Sequence, residues 1–127
     1  ENVDIIHARS RAPAWSALWA ARRTKTPFVT TYHGAYGGTS PPKKLYNSVM
    51  ARGDIVIANS EYIADHVRAV HHVHENRLVT IPRGVDTELF NPAKVNPDRV
   101  RALRNELCGD RKYLLILPGR LTSWKGQ

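Results

Sequence analysis

Residues 54–63 read DIVIANSEYI (Asp54 to Ile63) and pass from strand to helix within ten positions. Asp54 to Ala58 is a short β-rich run without polar alternation, the pattern of a strand covered on both faces. Ser60 and Glu61 then open a helix, and Ile63, Val67 and Val70 follow at helical spacing. Working outward, DIIH (Asp4 to His7), FVTTY (Phe28 to Tyr32) and LVTI (Leu78 to Ile81) repeat the strand signal. Between them, Pro13 marks the first turn of a helix with Trp15, Leu18 and Trp19 on one face, and Pro41 after Ser40 opens another with Leu45 and Val49. Strands alternating with helices predict βαβ units and a buried parallel sheet. The fold class is α/β: a partial Rossmann-like parallel sheet with helices on both faces.

Past Gly84 the pattern loosens through Asn91 and Pro92. Asn96 and Pro97 open a basic helix with Val100, Leu103 and Leu107 as its apolar stripe. After Gly109 and Asp110, the run Tyr113 to Leu117 predicts a further strand that stops at Pro118 and Gly119. Its apolar side chains are expected to lie uncovered, a surface that favours association. Neither an internal repeat nor a low-complexity tract is present.

The chain has 127 residues, of which 42% are hydrophobic and 24% charged, the balance of a soluble globular domain. The longest weakly polar stretch, Ala12 to Ala21, contains Pro13 and Ser16 and falls well short of the roughly 20 apolar residues that cross a bilayer. No secretory leader is visible at Glu1 to Asp4. The single Cys108 has no partner for an internal disulfide, which fits a reducing, cytoplasmic setting and a packing role. Nineteen Lys and Arg against eleven Asp and Glu give a net charge of +8, favouring nucleic acid, a lipid headgroup surface or phosphorylated small molecules as partners.

In open α/β sheets ligands bind outside the carboxyl ends of the strands. Those ends carry His7, Arg9 and Arg11, then His33 and Gly34, then Asn59 and Ser60, then Arg83 and Gly84, and last Arg120 and Lys125. Such a set describes a polar cleft for a phosphorylated or hydroxyl-rich ligand. In GRLTSWKG (Gly119 to Gly126), Arg120 offers a planar fork of donors and Lys125 a compact charge, and the flanking glycines let a phosphate approach the backbone. His33 precedes a glycine-rich loop and can hydrogen-bond a sugar hydroxyl or phosphate, exchange a proton near neutral pH, or simply cap a turn. His71, His72 and His74 lack the helical i,i+4 spacing or the cysteine partners of a zinc site, so no metal site is read there. Ser60 lacks a nucleophile elbow and is explained as a helix cap. Trp15 and Trp19 read as core, while Trp124 lies between the two cations.

Five segments together resemble the retaining glycosyltransferases of family four, two-domain enzymes of the GT-B fold. They are DIIHARS (Asp4 to Ser10), TTYHG (Thr30 to Gly34), DIVIANSEYI, IPRGVDTELFNP (Ile81 to Pro92) and GRLTSWKG. The resemblance implies transfer of a sugar from a nucleotide diphosphate sugar, with retention, to a lipid-linked or polysaccharide acceptor in cell-envelope, lipopolysaccharide-type glycan synthesis. By the same resemblance His33, Arg120 and Lys125 are catalytic, and Gly34, Gly119, Arg120 and Lys125 bind the donor. His7, Arg9 and Arg11 approach the glycan or glycolipid acceptor. No cofactor, metal or nucleic-acid partner is implied. The implied location is cytoplasmic, peripheral to the anionic inner face of the plasma membrane.

The implied division is 1–91 as the second half of the acceptor-side Rossmann-like domain, 92–110 as linker and helix, and 111–127 as the first strand and diphosphate loop of a truncated donor-binding domain. The family's amino-terminal glycine-rich loop would lie upstream of Glu1 and its paired glutamates downstream of Gln127, so the short chain alone is expected to be inactive. Arg83 stands where the family often has Asn and reads as tolerated variation, and Gly84 is free to adopt a left-handed conformation. Two other readings remain: a basic α/β module that binds nucleic acid, for which no motif is present, and an inactive GT-B domain acting as a scaffold.

Overall fold

A computed structural model describes residues 3–38, 40–123 and 126. The strands are β1 (Ile6–Ala8), β2 (Phe28–Tyr32), β3 (Ile55–Ala58) and β4 (Leu78–Thr80), hydrogen-bonded in that order into one parallel sheet. Ile6 lies opposite Phe28, Val29 opposite Ile55, and Val56 opposite Leu78. β1 begins two residues later than Asp4 because it pairs only where β2 exists, from Phe28 onward. The Ile6 amide closes the edge on the carbonyl of Pro27 at 2.9 Å.

Helix α1 (Arg11–Thr24) joins β1 to β2 and buries Ala14, Leu18 and Ala21, an i, i+4, i+7 stripe. The stripe differs from the expected tryptophan face. Small side chains at 14 and 21 let the helix lie close to the sheet, which leaves Trp15 half-buried and Trp19 67% exposed beneath the Arg23 guanidinium. α1 ends on Lys25 in the left-handed region (φ 57°), its amide bonding the Ala21 carbonyl. A side chain there is strained, so Lys25→Gly is expected to raise the unfolding free energy by up to about 1 kcal/mol. Urea denaturation checks this; a lowered midpoint would contradict it.

Helix α2 (Pro41–Ser48) leads into a 3₁₀ turn at Val49–Ala51 that buries Val49 and Met50, whereas Leu45, expected inside, is exposed. Helix α3 (Glu61–His71) starts at Ser60, whose Oγ accepts from the Ile63 amide at 3.3 Å. It buries Ile63, Ala64 and Val67 and leaves Val70 exposed. Phe28, Tyr32, Val56, Ala58 and Leu78 form one continuous core with the inward stripes of α1 and α3 and with Met50. Most side chains that alternate with them along the strands are less covered: Val29, Ile55 and Ile57 are half-buried and Val79 is exposed, while Thr31 is buried.

Gly53, before β3, is fixed by packing. A Cβ there would sit 2.6 Å from the Ile55 carbonyl oxygen and 2.9 Å from Thr30 Oγ1. Asp54 then ties β3 to β2, its amide donating to the Phe28 carbonyl at 2.7 Å and its carboxylate accepting from the Phe28 amide at 2.8 Å.

The chain divides into two compact units, Glu1–Gly84 and Val85–Gln127. In the second, α4 (Pro97–Cys108) is capped by Asn96, whose Oδ1 accepts from the Asp98 amide at 2.8 Å. Its Val100, Leu103 and Leu107 are each about half exposed, and Cys108 is buried. Tyr113 to Leu117 is not a strand. A β-strand exists through hydrogen bonds to a neighbour, and no described residue supplies one; Leu115 is 93% exposed. Gly84 does not take the left-handed conformation expected of it; positive φ among the described glycines occurs at Gly38, Gly109 and Gly126.

Candidate functional site

At the carboxyl edge of the sheet, β1 runs into Arg9, β2 into His33, β3 into Asn59, and β4 into the loop holding Arg83. Parallel register brings these ends side by side, with Ala8 level with Thr30 and Tyr32 level with Ala58. His33 is the centre of the group. Arg83 Nη2 lies 3.1 Å from its Nδ1, and Arg9 donates through Nε to its Nε2 at 3.4 Å. Asn59 Nδ2 donates to the His33 carbonyl at 3.4 Å, fixing the backbone from the neighbouring strand end. His7 Nε2 sits 2.8 Å from Thr31 Oγ1 on the same two strands.

Partial burial holds the His33 imidazole below its ordinary pKa, and the charges of Arg83, Arg9 and His7 act in the same direction. His33 is therefore a neutral ring at neutral pH, able to give one hydrogen bond and accept one. His71, whose ring lies 6.0 Å from that of the buried Tyr32, is lowered too, by burial first and then by His66 and His72. A histidine depressed in the native state binds more protons once unfolded, at pH values between its folded pKa and about 6.5. Stability is accordingly expected to fall as pH drops from neutral through that window. Thermal unfolding at pH 7.5, 6.5 and 5.5 checks this, and a midpoint that holds or rises would contradict it.

Arg11 points elsewhere. Its Nη1 donates to Asn47 Oδ1 at 2.7 Å and its guanidinium lies 4.4 Å from the centre of the Tyr36 ring. Asn47 is buried and in turn donates to the Gly37 carbonyl at 3.3 Å. Arg11 thus organises the loop that follows His33. Beyond that loop, Tyr36, Gly37, Lys44, Asn47, His66 and His71 contribute to a groove of about 760 Å³ between α2 and α3. Gly34, beside His33, would meet nothing within 4 Å if it carried a Cβ, so space rather than strain characterises this position.

Gly119 and Arg120 belong to the second unit and are exposed, the Arg120 carbonyl accepting from Thr122 Oγ1 at 3.4 Å. Lys125 and Trp124 lie outside the described residues. The structure therefore brings His7, Arg9 and His33 together and holds Arg11 against Asn47 and Tyr36. Arg83 was legible as a strand-end residue, but reading it as tolerated variation missed its place on His33. The signal was the topology: in a sheet of sequential parallel strands the ends of β2 and β4 flank that of β3, which lets a long side chain after β4 reach back. Among the described residues no cluster of three or more His, Cys, Asp or Glu is placed to hold a metal ion, and no helix is long and apolar enough to cross a membrane.

Comparison with known proteins meets this geometry. The chain is 29% identical to D-inositol 3-phosphate glycosyltransferase 1 of Catenulispora acidiphila, an alignment covering 98% of the chain and 32% of that protein. The crystal structure of a glycosyltransferase from Rickettsia africae superimposes with a TM-score of 0.74 at 40% identity, over 98% of the chain and 33% of the other. The chain thus spans about a third of the length of the relatives it matches. The profile of Glycosyltransferase Family 4 matches residues 1–89, the whole sheet and its carboxyl edge. With its partial Rossmann-like parallel sheet and that match, the chain belongs to glycosyltransferase family 4.

Proposed function

We propose that this chain is the acceptor-side portion of a retaining glycosyltransferase that moves a sugar from a nucleotide diphosphate donor to a glycan or glycolipid acceptor. The observation that carries the reading is the coincidence of the family match with His33 held at the end of β2 between two guanidiniums. In this reading His33 hydrogen-bonds a hydroxyl of the donor sugar, with open space at Gly34 admitting it. Arg120 and Lys125 take the diphosphate and neutralise the charge that develops as the glycosidic bond breaks. Gly119 lets the phosphates approach the backbone. His7 and Arg9 face the acceptor, and Arg11 shapes the loop against which it rests. Since the chain spans a third of its relatives, the reaction in this reading needs more protein than the 127 residues supply.

A lipid-linked or polysaccharide acceptor of the cell envelope, lipopolysaccharide type included, fits a basic chain working in the cytoplasm against an anionic membrane face. The name of the Catenulispora relative specifies D-inositol 3-phosphate, and a phosphorylated polyol is the second acceptor class we propose. In this reading the two cations, Arg120 and Lys125, do on the leaving diphosphate the work that a divalent ion does in metal-dependent transferases. The test is transfer from a panel of nucleotide diphosphate sugars by the intact enzyme, with and without EDTA. The expected result is turnover with at least one donor at a rate unchanged by the chelator. Failure with every donor would contradict the transferase reading, and loss of rate restored by Mg²⁺ or Mn²⁺ would contradict the cation role.

A further inference from the structure

Arg9 and Arg83 converge on one imidazole, and among the described residues no carboxylate pairs with either. The four ion pairs among the described residues are Arg68 with Asp65, Arg68 with Glu75, Lys94 with Glu88, and Arg101 with Asp98, all elsewhere. The guanidiniums approach His33 from its two ring nitrogens, at 3.4 Å and 3.1 Å. A neutral imidazole has one acceptor nitrogen and guanidinium has none, so only one of the two contacts can be a hydrogen bond at a time. The other sets two donors against each other. His7, on the adjoining strand end, adds no negative charge. Two exposed cations kept together against mutual repulsion, with surplus donors and no paired carboxylate among the described residues, make the electrostatics of an unfilled oxyanion site.

We propose that Arg9 and Arg83 together hold a phosphate group of the substrate over His33, which makes Arg83 a specificity-determining residue. A phosphate between them satisfies the surplus N–H donors with charge-assisted bonds and turns the repulsion between the two cations into attraction for a shared anion. It also frees His33 Nε2 or Nδ1 to bond the ligand. Identifying the ligand as a substrate rests on the transferase reading; its charge does not. The phosphate has two sources to distinguish, a monoester on the acceptor or, in place of the Arg120 assignment, the diphosphate of the donor.

The test is side-chain NMR of the histidines in the 127-residue chain, titrated with inorganic phosphate and with inorganic pyrophosphate at constant ionic strength held by chloride. The six histidines give a built-in control. The expected result is a saturable shift of the His33 signals with a rise in its pKa, while His72 and His74 stay unmoved. Arg83→Asn and Arg9→Ala, both at exposed positions, are each expected to weaken binding about tenfold or more, as for loss of a hydrogen bond to a charged group. Tighter binding of phosphate assigns the group to a monoester-bearing acceptor, and tighter binding of pyrophosphate assigns it to the donor; either supports the site. A His33 that does not shift, a shift that chloride alone reproduces, equal shifts across all six histidines, or undiminished binding by Arg83→Asn would each overturn it. No turnover enters this readout. A failed transfer assay would thus leave the anion site standing, and a failed titration would leave the transferase reading standing.

Discussion

With Arg120 in the proposed diphosphate role, Arg120→Ala in the intact protein is expected to lower kcat about a hundred- to a thousandfold, the loss typical when a donor to developing negative charge is removed. The leaving diphosphate carries more charge in the transition state than in the bound donor. A cation at that point therefore acts mainly on kcat, with a smaller change in the KM for the nucleotide sugar. Arg120→Lys is expected to recover part of the rate, because an ammonium keeps the charge but loses the planar two-point contact. Steady-state kinetics on purified wild type and variants decide the matter. Full activity in Arg120→Ala refutes the diphosphate role, and a rise in KM at constant kcat reassigns the residue to donor binding alone.

Phe28→Ala is expected to be the most damaging of the simple truncations, at about 3–5 kcal/mol for a large aromatic removed from a core. Phe28 opens β2 and is 2% exposed. Its backbone exchanges hydrogen bonds with Asp54, so it sits where the covalent start of β2 meets the anchor of β3. Domains of this size have unfolding free energies of about 5–15 kcal/mol, so the variant approaches the threshold of folding. Phe28→Leu keeps most of the volume and is expected to cost far less. Urea denaturation followed by circular dichroism checks both. A loss below about 1 kcal/mol for the alanine variant would contradict this, since it would mean that the core collapses around the gap.

How much of the fold the sequence makes legible depends on which interaction decides each element. The sequence marks β2 to the residue and β3 and β4 within one, because apolar runs bounded by turn residues are decided locally. Ser60, Asn96 and Pro97 placed helix starts for the same reason. What failed were the helix faces. Trp19, Leu45 and Val70 obey helical spacing yet lie outside, since periodicity offers several stripes and the sheet accepts the one whose side chains fit. At α1 that is the alanine stripe, which allows close approach. Tyr113 to Leu117 failed for a different reason: a sequence can favour extension, but only a neighbouring strand completes it.

In the site, His33 and Arg9 were legible from their position after strands, and the fold's topology brings them within contact. Arg11 was legible as a strand-end cation but not as the partner of Asn47 and Tyr36, since a contact 36 residues away in sequence leaves no local signal. Arg83 was hidden by its own chemistry. A residue unusual for its motif looks like drift until a structure shows what it touches.

The most direct measurement of the central claim is a crystal structure of the intact enzyme bound to a non-transferable nucleotide diphosphate sugar. The expected result is a sugar hydroxyl within hydrogen-bond distance of a His33 ring nitrogen and the leaving phosphate on Arg120. A donor whose sugar lies away from the carboxyl edge of β2, with its phosphates on other residues, would contradict it.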